Sequence, residues 1–462
     1  MMWNSAEPRS IGSWPGGQLP AGRGLEVSGR DAWLGGPLAV DELAVGAVAA
    51  ALLAAADLAE ARGAGRPKIA LSTEHVALSF RSERHLLRGG ASPGPSFAPL
   101  SRLVRCAGDG WARTHGNYPH HAAALGRALG IDHRGDPELA VAALELAAGA
   151  LDASALEERV VAAGGCAAAL RSPEEWAAHP AGRAAAAAPL VASDQRLATR
   201  PGPMLTPAET RTRPADGVRV LDLTRVIAGP VAGRTLAALG ADVLRVDPPG
   251  LPELPAQHLD TGPGKRSAVL DLADARRREL LLAGADVVLV GYRPGALERF
   301  GLRSDELAAR HPHLVQVRLS AWGAPGPWTE RRGFDSLVQV ASGIATVSAA
   351  ADGTPGVLPA QVLDHATGHL MAGAALRGLA QRERGEAFAP AALSLARTAA
   401  ALLQAPRPTE TVTAATGAAD PDRHRVVFGD VGLIAPPGEL DGVALQWAHG
   451  PRPFGEDEPA WR

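Results

Sequence analysis

The stretch from Val218 to Asp247 constrains this chain more than any other, because it reads strand, helix, strand without interruption. Val218–Leu223 is a short apolar run rich in β-branched residues, Gly229 and Pro230 open a helical pattern, and Ala241–Val246 returns as a second strand. Two such strands joined through a helix form a βαβ unit, which demands a parallel sheet and builds pockets for nucleotide-like ligands at its strand ends.

Alternation continues downstream. Ala268–Leu272, Asp286–Val290 and Leu314–Leu319 are the next strand candidates, each followed by a helical pattern, so a mostly parallel sheet is expected over 216–404. Upstream, residues 1–200 are Ala-rich and helical apart from strand-like pieces at Lys68–Leu71 and Leu103–Arg105. Between them, 201–215 gathers prolines, threonines and charges without apolar period and reads as a linker; 405–462 is a C-terminal tail. The expected fold is therefore α/β, a Rossmann-like domain with a helical, Ala-rich second domain. A weak echo links the halves: Val40–Gly63 and Leu363–Gly385 both begin apolar-Asp, run on as Ala/Leu helices, and lead to strand-like Lys68–Ser72 and Ala391–Leu395.

Composition narrows the partners. A chain of 462 residues exceeds one ordinary core, and a net charge of −3 gives no reason to expect nucleic acid or an anionic membrane. Two distant cysteines, Cys106 and Cys166, make neither a disulfide framework nor a metal knuckle. The N-terminus lacks a signal-peptide pattern, and no window reads as the ~18 uncharged apolar residues of a membrane span. The Ala-rich run around Ala44–Leu58 reads as a buried helix, and a reduced cytoplasmic setting is expected.

The βαβ passage is joined by GKRSAVLDL at Gly264–Leu272, GYRPGALERFGL at Gly291–Leu302, the loop Ser320–Pro327, RGFD at Arg332–Asp335 and LDHATGHLMAG at Leu363–Gly373. In that order these motifs resemble the family III CoA-transferases, and their succession is far more specific than any one of them. The resemblance implies a transferase moving CoA between an acyl-CoA donor and a carboxylic acid acceptor, with CoA as substrate, no tightly bound cofactor, and an interlocked homodimer. It implies Asp364 as nucleophile, and CoA contacts at Arg225, Val226, Ile227 and Ala228 of RVIAGP, at Tyr292, Ala296 and Arg299, and at Arg332. Asp109–Ile131 and Ser172–Pro180 resemble the family's later portion, so residues 1–200 read as that portion placed ahead of the earlier one, with Gly450–Trp461 as a shortened second return.

A carboxylate suits the implied chemistry, because attack on a thioester gives an anhydride whose acyl group never meets bulk water. Asp364 is expected just before a helix, where the helix dipole would keep it ionised; an ordinary N-cap is the alternative. Gly368 would admit the acyl chain or simply pack the helix. Pro248 and Ala273 replace cations that some relatives carry, and no glycine-run loop is present. Three rival readings remain. NAD binding, with Asp247 as the ribose acid, lacks G-x-G-x-x-G at Ala228–Gly233. A racemase would need an imidazole where Phe334 stands. A non-catalytic acyl-CoA-binding protein would keep the fold without turnover. His365 and His369 lie four apart on one helix but have no third ligand nearby in sequence, so no metal is expected.

Overall fold

The computed structural model describes residues 24–30, 32–95, 97–408 and 419–462. Short Val- and Leu-rich runs form a seven-stranded sheet of β1 (Ala192–Ser193), β2 (Arg219–Leu223), β3 (Asp242–Asp247), β4 (Lys265–Val269), β5 (Val287–Val290), β6 (Val315–Ser320) and β7 (Ala391–Ser394). Its order is β4-β3-β2-β5-β6-β7-β1. All neighbours are parallel except the β7–β1 edge pair. The α/β, Rossmann-like expectation holds. Strand order reverses between β2 and β5, paired Val220↔Val287 to Leu223↔Val290, and the crevice beyond their carboxyl ends is where such sheets take ligands.

Five helices matter for the site: α1 (Val40–Ala61), α2 (Ala228–Ala238), α3 (Asp335–Ala341), α4 (Val362–Glu383) and α5 (Leu395–Gln404). Since crossovers run back over the sheet, α2, α4 and α5 all begin at the carboxyl edge of the strands. One expected strand is displaced: Ala268–Leu272 is found at Lys265–Val269. Its polar first half is buried by ion pairing, Lys265 with Asp222 at 2.9 Å and Arg266 with Asp242 at 2.8 Å, which hydropathy cannot register.

By length and hydropathy α1 could cross a membrane, contrary to the sequence expectation, yet 89% of its most apolar window is buried inside the protein. It shares one apolar core with α4 and the sheet. The contact is close because Gly373 has no side chain; a methyl there would stand 3.4 Å from Ala51 Cα. The internal echo acquires a structural counterpart. α1 leads to strand Ile69–Ser72 and then a helix capped by Ser72, whose Oγ accepts the His75 N–H; α4 leads to β7 and then α5, where Ser394 Oγ accepts the Arg397 N–H. The tail ties both halves together: Glu439–Leu440 pairs with Ile69–Ser72, and Glu456 bridges to Ala268 of β4.

Candidate active site

The turn after β2 is strained and firmly held. Val226, a β-branched residue, has φ +71°, and its N–H donates to Glu253 Oε2 at 2.9 Å. Arg225 donates to the Pro252 carbonyl at 2.8 Å, stands 3.7 Å from Glu253, and lies over the Tyr118 ring at 5.0 Å. Tyr118 itself donates to Glu253 Oε1 at 2.6 Å, and Arg245 reaches the other oxygen at 3.0 Å. Burial alone would raise the Glu253 carboxyl, but Arg245 and Arg225 hold it below its ordinary value. Ile227 and Ala228 are buried where α2 begins.

Asp364 lies inside the first turn of α4 rather than before the helix, and is 5% exposed. Among the described residues no donor reaches its carboxylate. Burial, then the nearby Asp335 and Glu83, push its pKa well above the usual carboxylate range, which opposes the expected ionised state. The helix N-terminus does favour the anion, but one turn of dipole is worth ~1 kcal/mol and does not offset burial beside two acids. Asp335, fully buried at the start of α3, accepts the Asp364 N–H at 2.9 Å and the Gln339 amide at 2.5 Å. Burial pushes its own carboxyl up to about 6. Gly368, one turn beyond Asp364, packs against α2: a methyl there would meet the Ala228 carbonyl oxygen at 2.4 Å. It is a packing glycine that brings the Asp364 helix onto the RVIAGP turn.

Tyr292 follows β5 and is half-buried, its phenol pKa raised chiefly by burial and lowered in part by Arg225. It lines a cleft of about 740 Å³ at the sheet's carboxyl edge. Ala296 is half-buried in a turn closed by its N–H to Arg293 O at 3.1 Å. Arg299 is exposed and lies over its neighbour Phe300 at 4.6 Å, apart from the Asp364 group. Arg332 is also exposed and donates to Gly164 O at 3.3 Å. His365 and His369 face Phe80, and His365 Nε2 stands 3.5 Å from Glu83 Oε2. Among the described residues no cluster of three His, Cys, Asp or Glu side chains could hold a metal.

Several residues escaped the sequence reading. Glu83 and Tyr118 come from the N-terminal half, and so does His115, whose ring stacks on Phe334 at 3.6 Å with 5° between planes. Glu253 lies in a loop without pattern. Asp335 had a signal, since it closes the RGFD motif, and His115 and Tyr118 fall inside the Asp109–Ile131 stretch without having been singled out there.

The sheet order, with a carboxylate that no donor reaches among the described residues buried at the start of α4, defines an α/β class whose ligand crevice lies at the carboxyl ends of the strands. Residues 215–429 match the family described as CoA-transferase family III. The chain is similar to the probable fatty acyl-CoA transferase Rv3272 of Mycobacterium tuberculosis, 40% identical over 194 residues, covering 38% of this chain and 49% of that protein. It is 33% identical to the succinyl-CoA:glutarate CoA-transferase of Mus musculus, covering 37% of this chain and 43% of the other. With the formyl-CoA:oxalate CoA-transferase of Rhodopseudomonas palustris it shares 33% identity, covering 35% and 42%. A crystal structure of Rv3272 matches 41% of this chain and 57% of its own at 38% identity, with a TM-score of 0.38. The chain thus spans about half the length, or less, of these curated relatives.

Proposed function

We propose that this protein is a CoA-transferase that passes CoA between an acyl-CoA and a carboxylic acid through a covalent intermediate on Asp364. One observation carries the reading: a buried carboxylate that no donor reaches among the described residues, at the start of α4, packed through Gly368 onto the start of α2 that follows the Arg225 turn. An Asp364 oxygen attacks the thioester carbonyl, the C–S bond breaks, and a mixed anhydride and CoA thiolate form. The thiolate attacks the aspartyl carbonyl, releasing the first acid and leaving an aspartyl-CoA thioester. The second acid attacks that thioester, and the expelled thiolate takes its acyl group, restoring Asp364. A carboxyl whose pKa lies above the usual range is the more nucleophilic once its proton is lost, so the acids beside it serve the chemistry.

Arg225 and Tyr292 would face CoA at the crevice, with Val226, Ile227 and Ala228 offering backbone and apolar contact, Ala296 beside them and Arg299 and Arg332 at the exposed rim. Glu83 of the N-terminal half acts on Asp364 through its charge and Tyr118 of the same half donates to Glu253 within one chain, which supports a reading in which a single chain would complete the site and a homodimer would repeat it. The two buried free cysteines suit a reduced cytoplasm.

Hydroxylamine tests the reading. After incubation with acyl-CoA, the peptide holding Asp364 should carry a hydroxamate, and Asp364→Asn should abolish turnover while CoA binding persists. A variant rate within tenfold of wild type, ~1.4 kcal/mol in barrier, would exclude covalent catalysis there; bound CoA without a hydroxamate would mark a non-catalytic binder.

A further inference from the structure

The transfer chemistry leaves unused a buried polar corner behind Asp364, where the short helix Ser82–His85 of the N-terminal half meets helix Pro255–Thr261 and the start of α4. His365 is fully buried there, and its Nε2 stands 3.5 Å from Glu83 Oε2. Both atoms are buried, and neither has a hydrogen-bond partner elsewhere among the described residues, so the two face each other alone. Phe80 covers the imidazole, ring centroids 5.3 Å apart. Arg234 of α2 is committed elsewhere, donating to Asp260 Oδ2 at 3.3 Å and to Ser82 Oγ at 3.1 Å. Burial alone would raise the Glu83 carboxyl, but His365, with a smaller contribution from Arg84, holds it below its ordinary value. The other titratable neighbours are Arg81 and His85 beside Glu83 in the chain, Asp260, raised by burial, Asp335, raised by burial to about 6, and His369, which burial drives well below the usual imidazole value.

We propose that Glu83, held charged by His365, is a positioning residue for the nucleophile and drives Asp364 into its covalent forms by like-charge repulsion. Given the reading of Asp364 as nucleophile, on which this rests, two negative charges, on Glu83 and Asp364, oppose each other while Asp364 is a free carboxylate. Asp364 and His365 are consecutive in the first turn of α4, so the partner of His365 lies beside Asp364, and its charge follows burial and Asp335 in raising the Asp364 carboxyl. On attack an Asp364 oxygen bonds to the thioester carbonyl carbon, the C–S bond breaks, and the negative charge leaves on the CoA sulfur. When that thiolate has displaced the first acid, the charge departs with the acid. Asp364 is then a neutral thioester, and the repulsion is gone. A coupling that moves the Asp364 titration by about one pH unit is worth about a factor of ten in the acylation equilibrium. His365 acts on Glu83 rather than on Asp364 itself.

The intact mass of the full chain, acid-quenched after mixing with acyl-CoA and free acid across a pH series, reads both quantities. Glu83→Gln, nearly isosteric, should move the acidic limb of acyl-enzyme formation to lower pH by about one unit and reduce the aspartyl-CoA thioester on the plateau about tenfold. His365→Asn leaves Glu83 to burial alone, so it should move the limb in the same direction and add nothing in the Glu83→Gln background; where it fails to fold, Glu83→Gln answers by itself. A merely structural pair would lower the rate and leave the limb where it stands, and that outcome, in variants that melt with wild type, overturns the proposal. NMR of the aspartate carboxyl carbons, with the Asp364 signal assigned by Asp364→Asn, needs no turnover and separates the two readings. An Asp364 titration moved by Glu83→Gln, with no mass added by acyl-CoA in any protein, would overturn the nucleophile and leave the coupling standing; an acylated Asp364 whose titration ignores both changes would do the reverse.

Discussion

Asp364 and Asp41 hold matching places in the two echoing helices and stand in opposite chemical situations. Asp41 accepts the N–H groups of Trp33 at 2.9 Å, Leu34 at 3.0 Å and Gly35 at 3.1 Å, so it clamps a loop. Asp41→Asn should therefore cost ~1–3 kcal/mol of stability, read by denaturant unfolding, and leave acylation of Asp364 intact. The acids around Asp364 make a pH prediction. Asp335 carries negative charge that raises the Asp364 pKa, so Asp335→Asn should move the acidic limb of acyl-enzyme formation to lower pH. The stability sign follows from Asp335's own carboxyl, raised to about 6 when folded. The folded state keeps this proton after the unfolded chain has lost it, so the contribution is full below about 3.9 and is lost as pH rises through about 6. Melting curves of wild type and Asp335→Asn between these limits should show wild type losing ground as pH rises. Asp364 and Arg225 could be singled out as candidates because each stands in a motif contiguous in sequence, LDHATG and RVIAGP. Glu83, Tyr118 and Glu253 could not, since each meets its partner only after folding brings distant segments together.

At the scale of the element, the strands read well wherever apolar residues made them: β2, β5 and β6 fall within one residue of their expected bounds at each end. β4 was displaced because charged residues fill its buried half. Lys265 Nζ donates to Asp222 Oδ2 at 2.9 Å and to the Pro230 carbonyl at 2.7 Å, so one buried ammonium joins β4, β2 and the first turn of α2. Burial lowers its pKa to about 8, and Asp222 works against that shift. Lys265→Ala would leave Asp222 buried without its cation and should cost about 3–5 kcal/mol. Adding Asp222→Ala should recover part of that loss. A double-mutant cycle by denaturant unfolding checks this, and strictly additive costs would mean that the pair does not act as a unit. Gly233 belongs to the same arrangement, for a methyl there would stand 2.6 Å from Asp222 Oδ2 and 2.7 Å from Lys265 Nζ.

At the scale of the molecule, the sequence boundary at 201–215 separates two compositions, while the apolar core runs across it. α1 lies against α4, the helix that carries Asp364, and its Leu43, Leu52, Leu53 and Leu58 are within 1% of full burial. Removing residues 1–209 would uncover the face of α4 around Gly373 and Leu370, delete Tyr118 from the Glu253 network, and take Glu83 from beside Asp364. Exposed apolar surface of that extent drives association. The truncated chain 210–462 should therefore aggregate and fail to bind CoA, whereas co-expression with residues 1–209 should restore a soluble complex in which acyl-CoA modifies Asp364. Sedimentation and the hydroxylamine trap read both halves of this outcome. A soluble 210–462 that binds CoA by itself would mean that the N-terminal half is an appendage, and that Tyr118 and Glu83 contribute nothing the site requires.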